Sequence, residues 1–496
     1  MKKAMSFSIL FLLVASIWGS PVFAGAYGAD SAFFSLMGRL ILDGKVMYRD
    51  YLDVKGPVFF FWEAFGQLFI KGRGGIFVIE CICMLVTAAF LYKICRFYEL
   101  NKKTIIFVHA VFYLIYLGAL WGGNTCEEYC LSLLMVCLYL TLVFLRDGIL
   151  KWYQPFLFGI SFACFVMSKA TIAAPLGAMM VCVLVVLIKK KRSADIIKCV
   201  GIFFGGAALI AVPVFVYYRV NNALSDMIDW AYVKAFSRAV DFSYDTQGNE
   251  FNDVSLSKKL LYMCPIYAGL FTGIVSYVTG RHTEELTGSD TEKNKGLLLV
   301  LMSVFTLVTL CFGTSYIYYY IIEMPLVAVC ASVLPSDLKD GGKDVLRWLR
   351  SRFIIVTFII SCVVFARYYL NNIPIYKYMV TTNVSQLLYQ QVQDIYGVVP
   401  EDERDEILFL SPGAMFFEAN GIVPETKYPN NMEYIMELEP KYYDELMEKL
   451  ESDNKPKWII CANMEEISLS GVRKVVQEDY KLYAKGNLNQ VYRLVR

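Results

Sequence analysis

The feature that most limits how this chain can fold is a series of long apolar segments. A helix that crosses a bilayer needs about 20 mainly apolar residues, and eleven segments approach or reach that length. Of the 496 residues, 57% are hydrophobic and only 19% are charged, which is too apolar for a soluble protein of this size. The sequence therefore predicts a polytopic helical membrane protein. The predicted spans are residues 5–24, 76–95, 104–121, 129–145, 153–168, 171–188, 196–219, 258–280, 297–312, 317–334 and 353–370.

The basic residues predict the orientation of these spans. With the N-terminus inside, the inner segments carry 21 Lys and Arg residues and the outer loops carry twelve, as the positive-inside rule requires. Eleven crossings then place the first loop (25–75) and everything after residue 370 outside the cytoplasmic membrane. The first segment also resembles a cleavable signal peptide that ends near Val22–Gly25. Its spanning length favours a retained helix, and Asp30 lies outside in either case.

A change in composition predicts two domains. Residues 1–370 are net basic, whereas residues 371–496 hold 20 acidic and 13 basic residues. In the second part, short apolar runs that predict strands flank a charged helical stretch over 432–450. We expect a transmembrane catalytic domain over 1–370 and a small extracytoplasmic α/β domain with a partly parallel sheet over 371–496. The predicted strands are Ile407–Leu410, Trp458–Cys461 and Val491–Val495.

The first outer loop gathers charge beside aromatic residues. Asp30 follows the first span, and the run Tyr48–Pro57 contains further acids and a lysine. Charge at the edge of a membrane domain is costly and indicates function. Two apolar-polar segments, Ser31–Leu42 and Val58–Phe69, have helical spacing and are predicted to lie along the interface, with Pro57 opening the second.

The loop offers groups suited to group transfer. Asp30 can act as general base on an acceptor hydroxyl, Lys55 can hold a phosphate leaving group, and Asp53 can assist either. The alternatives are structural. Asp30 would cap the helix that follows it, Lys55 would be a snorkelling surface lysine, and Asp53 would pair with Lys55 or Arg49.

Three short turns between predicted spans carry further candidates for substrate binding. Glu127 and Glu128 could orient an acceptor or bind a cation, or both could simply face water. Lys169, alone in its turn, needs an anionic partner, a phosphate or a lipid headgroup. Tyr318 and Tyr319 belong to a tyrosine cluster that forms either a membrane aromatic belt or a wall against a sugar or prenyl chain.

Other classes of function find little support. A net charge of +2 does not indicate a nucleic-acid partner, and two histidines in the whole chain exclude a histidine metal cluster. The sequence has no phosphate-binding glycine loop, which argues against a nucleotide-driven pump. No spacing of ligands demands an ion, so we predict no metal site, although the carboxylates leave a divalent cation possible.

These motifs together resemble those of a known family. The first loop resembles that of membrane glycosyltransferases of the GT-C fold, and is similar to the bacterial protein mannosyltransferase-like and aminoarabinose-transferase-like enzymes. Gly56 departs from the pattern, because relatives often have a second proline there. The residues that carry the resemblance are Gly28-Ala29-Asp30, Gly44, Tyr48, Asp50, Asp53 and Lys55-Gly56-Pro57, then Gly122–Tyr129, Ser168-Lys169, and Tyr318-Tyr319-Tyr320 followed by Pro325.

The resemblance implies a glycosyltransferase that moves a hexose or pentose from a polyprenyl-phosphate donor to an extracytoplasmic glycan, lipid or protein. Asp30 would be the base of an inverting, in-line reaction, Lys55 would bind the lipid phosphate, and Lys169 would be a second clamp. The alternatives are a non-catalytic flippase of lipid-linked sugars and a polysaccharide polymerase or ligase. The charges at the outer edge, rather than at the span centres, favour the transferase over a transporter.

Overall fold

The protein divides into two compact units. The membrane unit comprises Met1–Ser16, Ile79–Tyr217 and Phe236–Ile373, and the sheet unit comprises Ile17–Val78, Tyr218–Ala235 and Pro374–Arg496. The predicted first span, 5–24, lies outside the described residues except at positions 17 and 20. The computed structural model describes residues 17, 20, 29–120, 122–240, 256–287, 289–311, 316–339, 342, 344–371, 397–410, 413–429, 432–461, 463–486 and 489–495.

Helices make up most of the chain up to residue 371. Among the described residues, eight helical segments are long and apolar enough to cross a membrane, and one of these contains both α6 and α7. The helices are α1 (Ala29–Leu42), α2 (Pro57–Phe69), α3 (Arg73–Phe97), α4 (Lys102–Ala119), α5 (Cys126–Asp147), α6 (Tyr153–Lys169), α7 (Ala173–Lys189), α8 (Ser193–Val220), α9 (Leu224–Ile228), α10 (Ala235–Val240), α11 (Leu256–Tyr262), α12 (Cys264–Thr287), α13 (Thr291–Leu310), α14 (Met324–Lys339) and α15 (Val345–Asn371).

The 37-residue segment that contains α6 and α7 is a hairpin of two crossings. Lys169, which ends α6, lies 2.5 Å from Glu127 at the start of α5. Arg192, just after α7, donates a hydrogen bond of 2.5 Å to the carbonyl oxygen of Gly148, just after α5. The two ends of α7 therefore lie at opposite ends of α5, and the short 3₁₀ turn Ala170–Ile172 reverses the chain. The two predicted spans, 153–168 and 171–188, are confirmed.

Helix α12 also runs from one end of the membrane unit to the other. Just before it, the ring of Tyr262, the last residue of α11, lies 5.2 Å from that of Tyr320, whose neighbour Tyr319 is beside Lys169. Just after it, Asp290 pairs with Lys190 at the opposite end of the unit. The helix packs closely against α13 because Gly273, Gly280 and Gly296 bring the two backbones together. The contacts thus support the predicted crossing at 258–280.

The number of helices between the loops bears on which loops share a side of the membrane. Among the described residues, six helices, α3 to α8, lie between the first loop and residues 221–234, and four, α12 to α15, lie between the latter and the C-terminal region. Both numbers are even, which is consistent with all three regions emerging on one side. Contacts within the sheet unit agree: Arg49 donates to the carbonyl oxygen of Asn221 at 3.1 Å, and Ser35 donates to Glu418 at 2.7 Å.

The C-terminal part of the sheet unit is a small α/β fold, and its partly parallel sheet confirms the prediction. Strand β1 runs parallel to β2, β4 runs antiparallel to both β2 and β3, and the order is β1-β2-β4-β3. Pro440 divides the predicted helix 432–450 in two. The elements are β1 (Ile407–Phe409), α16 (Ala414–Asn420), α17 (Met432–Leu438), α18 (Lys441–Glu451), β2 (Trp458–Cys461), α19 (Ser470–Asp479), β3 (Tyr480–Lys485) and β4 (Gln490–Leu494).

The two helices of the first loop belong to this same sheet unit. Helix α1 is largely buried, with the Phe34 ring 4.7 Å from the Phe59 ring of α2. Helix α2 leaves an apolar end exposed that includes Leu68 and Phe69, the latter 73% exposed, as expected of a helix at a membrane interface.

The domain boundary near residue 370 stays a prediction, because the sheet unit combines segments from both sides of it.

A buried ion pair joins α14 to α15 at the end of the membrane unit opposite Lys169. Arg350 donates two hydrogen bonds, of 2.6 and 2.5 Å, to the carboxylate of Asp337, and a third of 2.6 Å to the Ser276 hydroxyl of α12. Both charged side chains are buried. The arginine thus connects three helices through charge-assisted bonds.

We expect Arg350→Ala to destabilise the protein by about 3 kcal/mol or more, because it leaves the Asp337 carboxylate buried without its partner. Arg347→Ala, which removes a half-exposed partner of Asp344 from the same helix, is the matched control and should cost about 1 kcal/mol or less. Thermal unfolding of the detergent-solubilised protein measures both. Equal melting temperatures for the two variants would contradict the role of the buried pair.

Candidate active site

Asp30 lies in the first turn of α1, with its side chain exposed. The helix begins at Ala29, so Asp30 is inside the first turn rather than ahead of it. A carboxylate at this position interacts favourably with the helix dipole. The exposed side chain is also accessible to a hydroxyl nucleophile, so a structural and a chemical role are compatible here.

Asp53 and Lys55 form a loose pair in the turn before α2. Asp53 is only 4% exposed, and its Oδ1 accepts a hydrogen bond of 2.6 Å from the backbone N–H of Val54. Its buried Oδ2 accepts no hydrogen bond within the described part of the chain and lies 3.9 Å from the Lys55 ammonium. That ammonium also lies 4.4 Å from the centre of the Phe34 ring. Lys55 is therefore held between a carboxylate and an aromatic face.

The turn that carries these residues contains a strained backbone position. Tyr48 has a φ of +68°, which is uncommon for a bulky residue, and its side chain is buried. Its hydroxyl donates a hydrogen bond of 2.5 Å to the carbonyl oxygen of Lys55, and its N–H donates to that of Tyr51 at 2.6 Å. Strain of this kind persists only where the surroundings fix it, and it is frequent at functional sites.

Arg49 pairs with Asp50, not with Asp53. Its guanidinium donates two hydrogen bonds, of 2.8 and 2.9 Å, to the two carboxylate oxygens of Asp50. The hydrogen bond from Arg49 lowers the pKa of Asp50, so this carboxylate stays ionised at neutral pH. Of the two partners predicted for Asp53, Lys55 is therefore the one that lies beside it.

In the membrane unit, Glu127 and Glu128 have separate surroundings. The Thr125 side chain caps α5 by accepting the N–H of Glu128, which places both acids in the first turn. Glu127 is 2% exposed and pairs with Lys169, whose ammonium lies 3.1 Å from the centre of the Tyr319 ring. Glu128 is fully buried. The alternative that both acids face water is wrong.

Glu128 meets a second carboxylate, Glu80 of α3, which the sequence analysis missed. The backbone N–H of Asn124 donates to both, at 2.6 Å to Glu80 and 2.8 Å to Glu128. Asn124 reaches them from a turn in which its φ is +59°, a conformation that asparagine tolerates. The Tyr116 hydroxyl also donates to Glu128, at 3.2 Å. The sequence did carry one signal for Glu80, because a carboxylate inside an apolar span is costly and indicates a functional role.

The tyrosines near residue 318 face the protein interior. Tyr318 is buried, its ring stacks at 5.5 Å on that of Tyr316, and Tyr319 packs edge-on against it at 5.0 Å. At the end of this 3₁₀ segment, Glu323 is buried and neither carboxylate oxygen has a hydrogen-bond partner among the described residues. The sequence analysis missed Glu323 as well. The described residues contain no group of three or more His, Cys, Asp or Glu side chains that could hold a metal ion.

The helical membrane unit, the paired loop helices and the small sheet make up a polytopic helical membrane protein of the GT-C type. The whole chain is similar to the solved structure of ArnT, an aminoarabinose transferase, from Cupriavidus metallidurans bound to undecaprenyl phosphate. The two share 10% identity with a TM-score of 0.55, over 99% of this chain and 96% of ArnT. The apo structure of the same protein gives 9% identity and a TM-score of 0.57, over 99% and 97%.

Residues 55–218 match the family described as dolichyl-phosphate-mannose-protein mannosyltransferase. No curated protein matches the sequence significantly. The family match and the shared fold confirm the resemblance that the first loop indicated, to membrane glycosyltransferases of the GT-C fold.

Because the two acids have separate surroundings, we predict that their neutral substitutions destabilise the protein to different extents. Glu127→Gln should cost about 3 kcal/mol of stability, because Lys169 loses its only charged partner described here. Glu128→Gln should cost less than about 1 kcal/mol, since the amide can accept from Asn124 and donate to Glu80. Thermal unfolding in detergent distinguishes the two. A Glu128→Gln variant that is destabilised as much as Glu127→Gln would contradict this reading of the pair.

Proposed function

We propose that the protein transfers a hexose or pentose from a polyprenyl-phosphate donor to an acceptor outside the cytoplasmic membrane. The observation that carries this proposal is the agreement between the family match over residues 55–218 and a fold shared, over 99% of the chain, with ArnT bound to undecaprenyl phosphate. The excess of basic residues in the predicted inner segments supports an extracytoplasmic position for the first loop.

In this proposal Asp30 is the general base. Its exposed carboxylate takes the proton of the acceptor hydroxyl as the oxygen attacks the anomeric carbon from the face opposite the phosphate. A new carbon–oxygen bond forms, the bond to the phosphate oxygen breaks, and its electron pair leaves with the polyprenyl phosphate. The configuration at the anomeric carbon inverts. An unhindered carboxylate in a helical first turn suits this task because no cation within that turn competes for it.

Lys55 is proposed to bind the donor phosphate. Its ammonium has three donors and lies 3.9 Å from the nearest oxygen of Asp53. A phosphate oxygen can form a charge-assisted bond with such a cation. As the sugar leaves, negative charge grows on the phosphate, and a fixed cation stabilises it. Asp53 would hold the lysine in place before the donor binds.

In the membrane unit, Lys169 is proposed as a second phosphate ligand. Glu127 fixes one of its donors, which leaves the remaining donors to meet an anion. The rings of Tyr318 and Tyr319 lie beside the ammonium and offer apolar faces that suit a sugar ring or a prenyl chain.

Asp30→Asn should abolish sugar transfer from polyprenyl-phosphate donors in membranes, because the exposed amide cannot accept the proton. Expression should remain intact, and stability should fall by no more than about 1 kcal/mol, the value of the lost charge–dipole interaction. Asp43→Asn, at the other end of the same helix, is the matched control and should retain activity. Mass spectrometry of the acceptor glycans measures both. Full transfer by Asp30→Asn would exclude Asp30 as the base.

Lys55→Ala should raise the KM for the donor lipid at least tenfold, because the phosphate loses a charge-assisted bond worth about 1.5–3 kcal/mol. Lys45→Ala, a lysine of the same loop, should leave the KM near that of the wild type. Initial rates at varied donor and acceptor concentrations separate the two constants. If only the acceptor KM changed, the assignment of Lys55 to the phosphate would be wrong.

A further inference from the structure

The C-terminal domain, meaning the small α/β fold of β1 to β4 and α16 to α19 within the sheet unit, bonds directly to the loop that carries Asp53 and Lys55. The Tyr51 hydroxyl donates a buried hydrogen bond of 2.9 Å to the carbonyl oxygen of Pro424. The next residue, Leu52, donates its backbone N–H to the carbonyl oxygen of Lys427 at 2.8 Å. Two consecutive residues of the loop, immediately before Asp53, are thus tied to the segment 424–427.

A second set of contacts fixes α1 to the same part of the domain. Glu418 accepts from the Ser35 hydroxyl at 2.7 Å and from the Arg39 guanidinium at 3.1 Å. Arg39 also donates to the carbonyl oxygens of Phe417 and Ile422, at 3.1 and 2.8 Å. These carbonyls lie near the end of α16, where cations are favoured. Helix α1, whose first turn carries Asp30, is therefore also held by this domain.

A third contact fixes the loop that follows α8. Lys234 bridges Glu439 at 2.6 Å and Asp229 at 3.3 Å, and the Trp230 ring packs 6.0 Å from that of Tyr442. The domain thus bonds to two chain segments that are distant in sequence and that both connect membrane helices. A domain that served only as a soluble appendage would need none of these bonds.

The turn itself needs external support. Tyr48 holds a left-handed backbone conformation, and its hydroxyl fixes the carbonyl oxygen of Lys55. Such a conformation costs about 1–3 kcal/mol and persists only when the surroundings over-determine it. The bonds at Tyr51 and Leu52 restrain the turn between Tyr48 and Lys55. Burial raises the pKa of Tyr51 to about 12, so its hydroxyl remains a donor across the physiological range.

We propose that the C-terminal domain is a positioning element for the proposed active-site loop, in which Tyr51 is a positioning residue that sets the orientation of Lys55 through its bond to the Pro424 carbonyl, beside the bond from Leu52 to the Lys427 carbonyl. The inference rests on the proposed function of Lys55 as phosphate ligand. The proposed chemistry uses Asp30, Asp53 and Lys55 of the first loop and gives the C-terminal domain no role. The inference assigns one to it.

The chain provides a closely matched control for the Tyr51 hydroxyl. Within the same domain, Tyr480 donates a buried hydrogen bond of 2.7 Å to the carbonyl oxygen of Pro456, and burial also raises its pKa. Tyr51→Phe and Tyr480→Phe therefore remove the same kind of bond, between a buried phenol and a proline carbonyl. Only the first of these bonds restrains the loop.

The test uses the full chain in detergent with undecaprenyl phosphate as the probe. Tyr51→Phe should weaken binding of undecaprenyl phosphate about fivefold and speed hydrogen exchange of the amides over residues 46–56. Tyr480→Phe should bind like the wild type and speed exchange only around residues 456 and 480. The proposal is wrong if Tyr51→Phe leaves exchange over 46–56 unchanged, or if both variants lose the same affinity. A wild-type protein that does not bind undecaprenyl phosphate would instead overturn the proposed function, while the exchange measurement would still decide whether the domain restrains the loop.

Discussion

The membrane unit depends on the pairing of buried charges, because an ion among apolar helices is costly without a partner. Two ion pairs meet this requirement at opposite ends of the unit, Glu127 with Lys169 and Asp337 with Arg350. Removing one partner would leave the other charge unpaired in surroundings that solvate it poorly. Each pair therefore fixes the relative positions of the helix ends that carry it. The first pair holds the end of α6, where the 3₁₀ turn Ala170–Ile172 reverses the chain into α7, against the start of α5.

Of the groups of the proposed chemistry, Asp53 and Lys55 lie on a loop, whereas Asp30 and Lys169 lie at the ends of helices. Functional groups are often carried by loops that a scaffold holds in place. In the sheet unit, the scaffold is the small α/β fold together with α1 and α2. The strained turn at Tyr48, the loose pair of Asp53 and Lys55, and the exposed Asp30 are all carried by it. A lysine on a fixed backbone suits the proposed phosphate ligand, because little of the loop has to move when the anion arrives.

The sequence was sufficient for features that follow from local pattern. Apolar length predicted the long helices α3 to α8 and α12 to α15, short apolar runs predicted β1 and β2, and alternation predicted β4. Strand β3 was missed because lysines at both ends of Tyr480–Lys485 and mostly exposed side chains hide any alternation. Glu80 and Glu323 were missed because each is a single acid inside an apolar run, and only three-dimensional packing shows that Glu80 meets Glu128. Likewise, no local pattern could show that Glu127 pairs with a lysine 42 residues away or that Tyr51 bonds to Pro424.

The central claim is that the protein consumes a lipid-linked sugar at the outer face of the membrane, and the fate of that lipid in cells tests it most directly. Deleting the gene and treating intact cells with a membrane-impermeant reagent that oxidises sugars, followed by mass spectrometry of lipids and surface glycans, locates the unused donor. A transferase predicts that one sugar disappears from the surface glycans while its polyprenyl-phosphate donor accumulates in a form accessible to the reagent. Accumulation of the donor in a protected form would indicate a flippase, and unchanged glycans with no accumulated donor would contradict sugar transfer altogether.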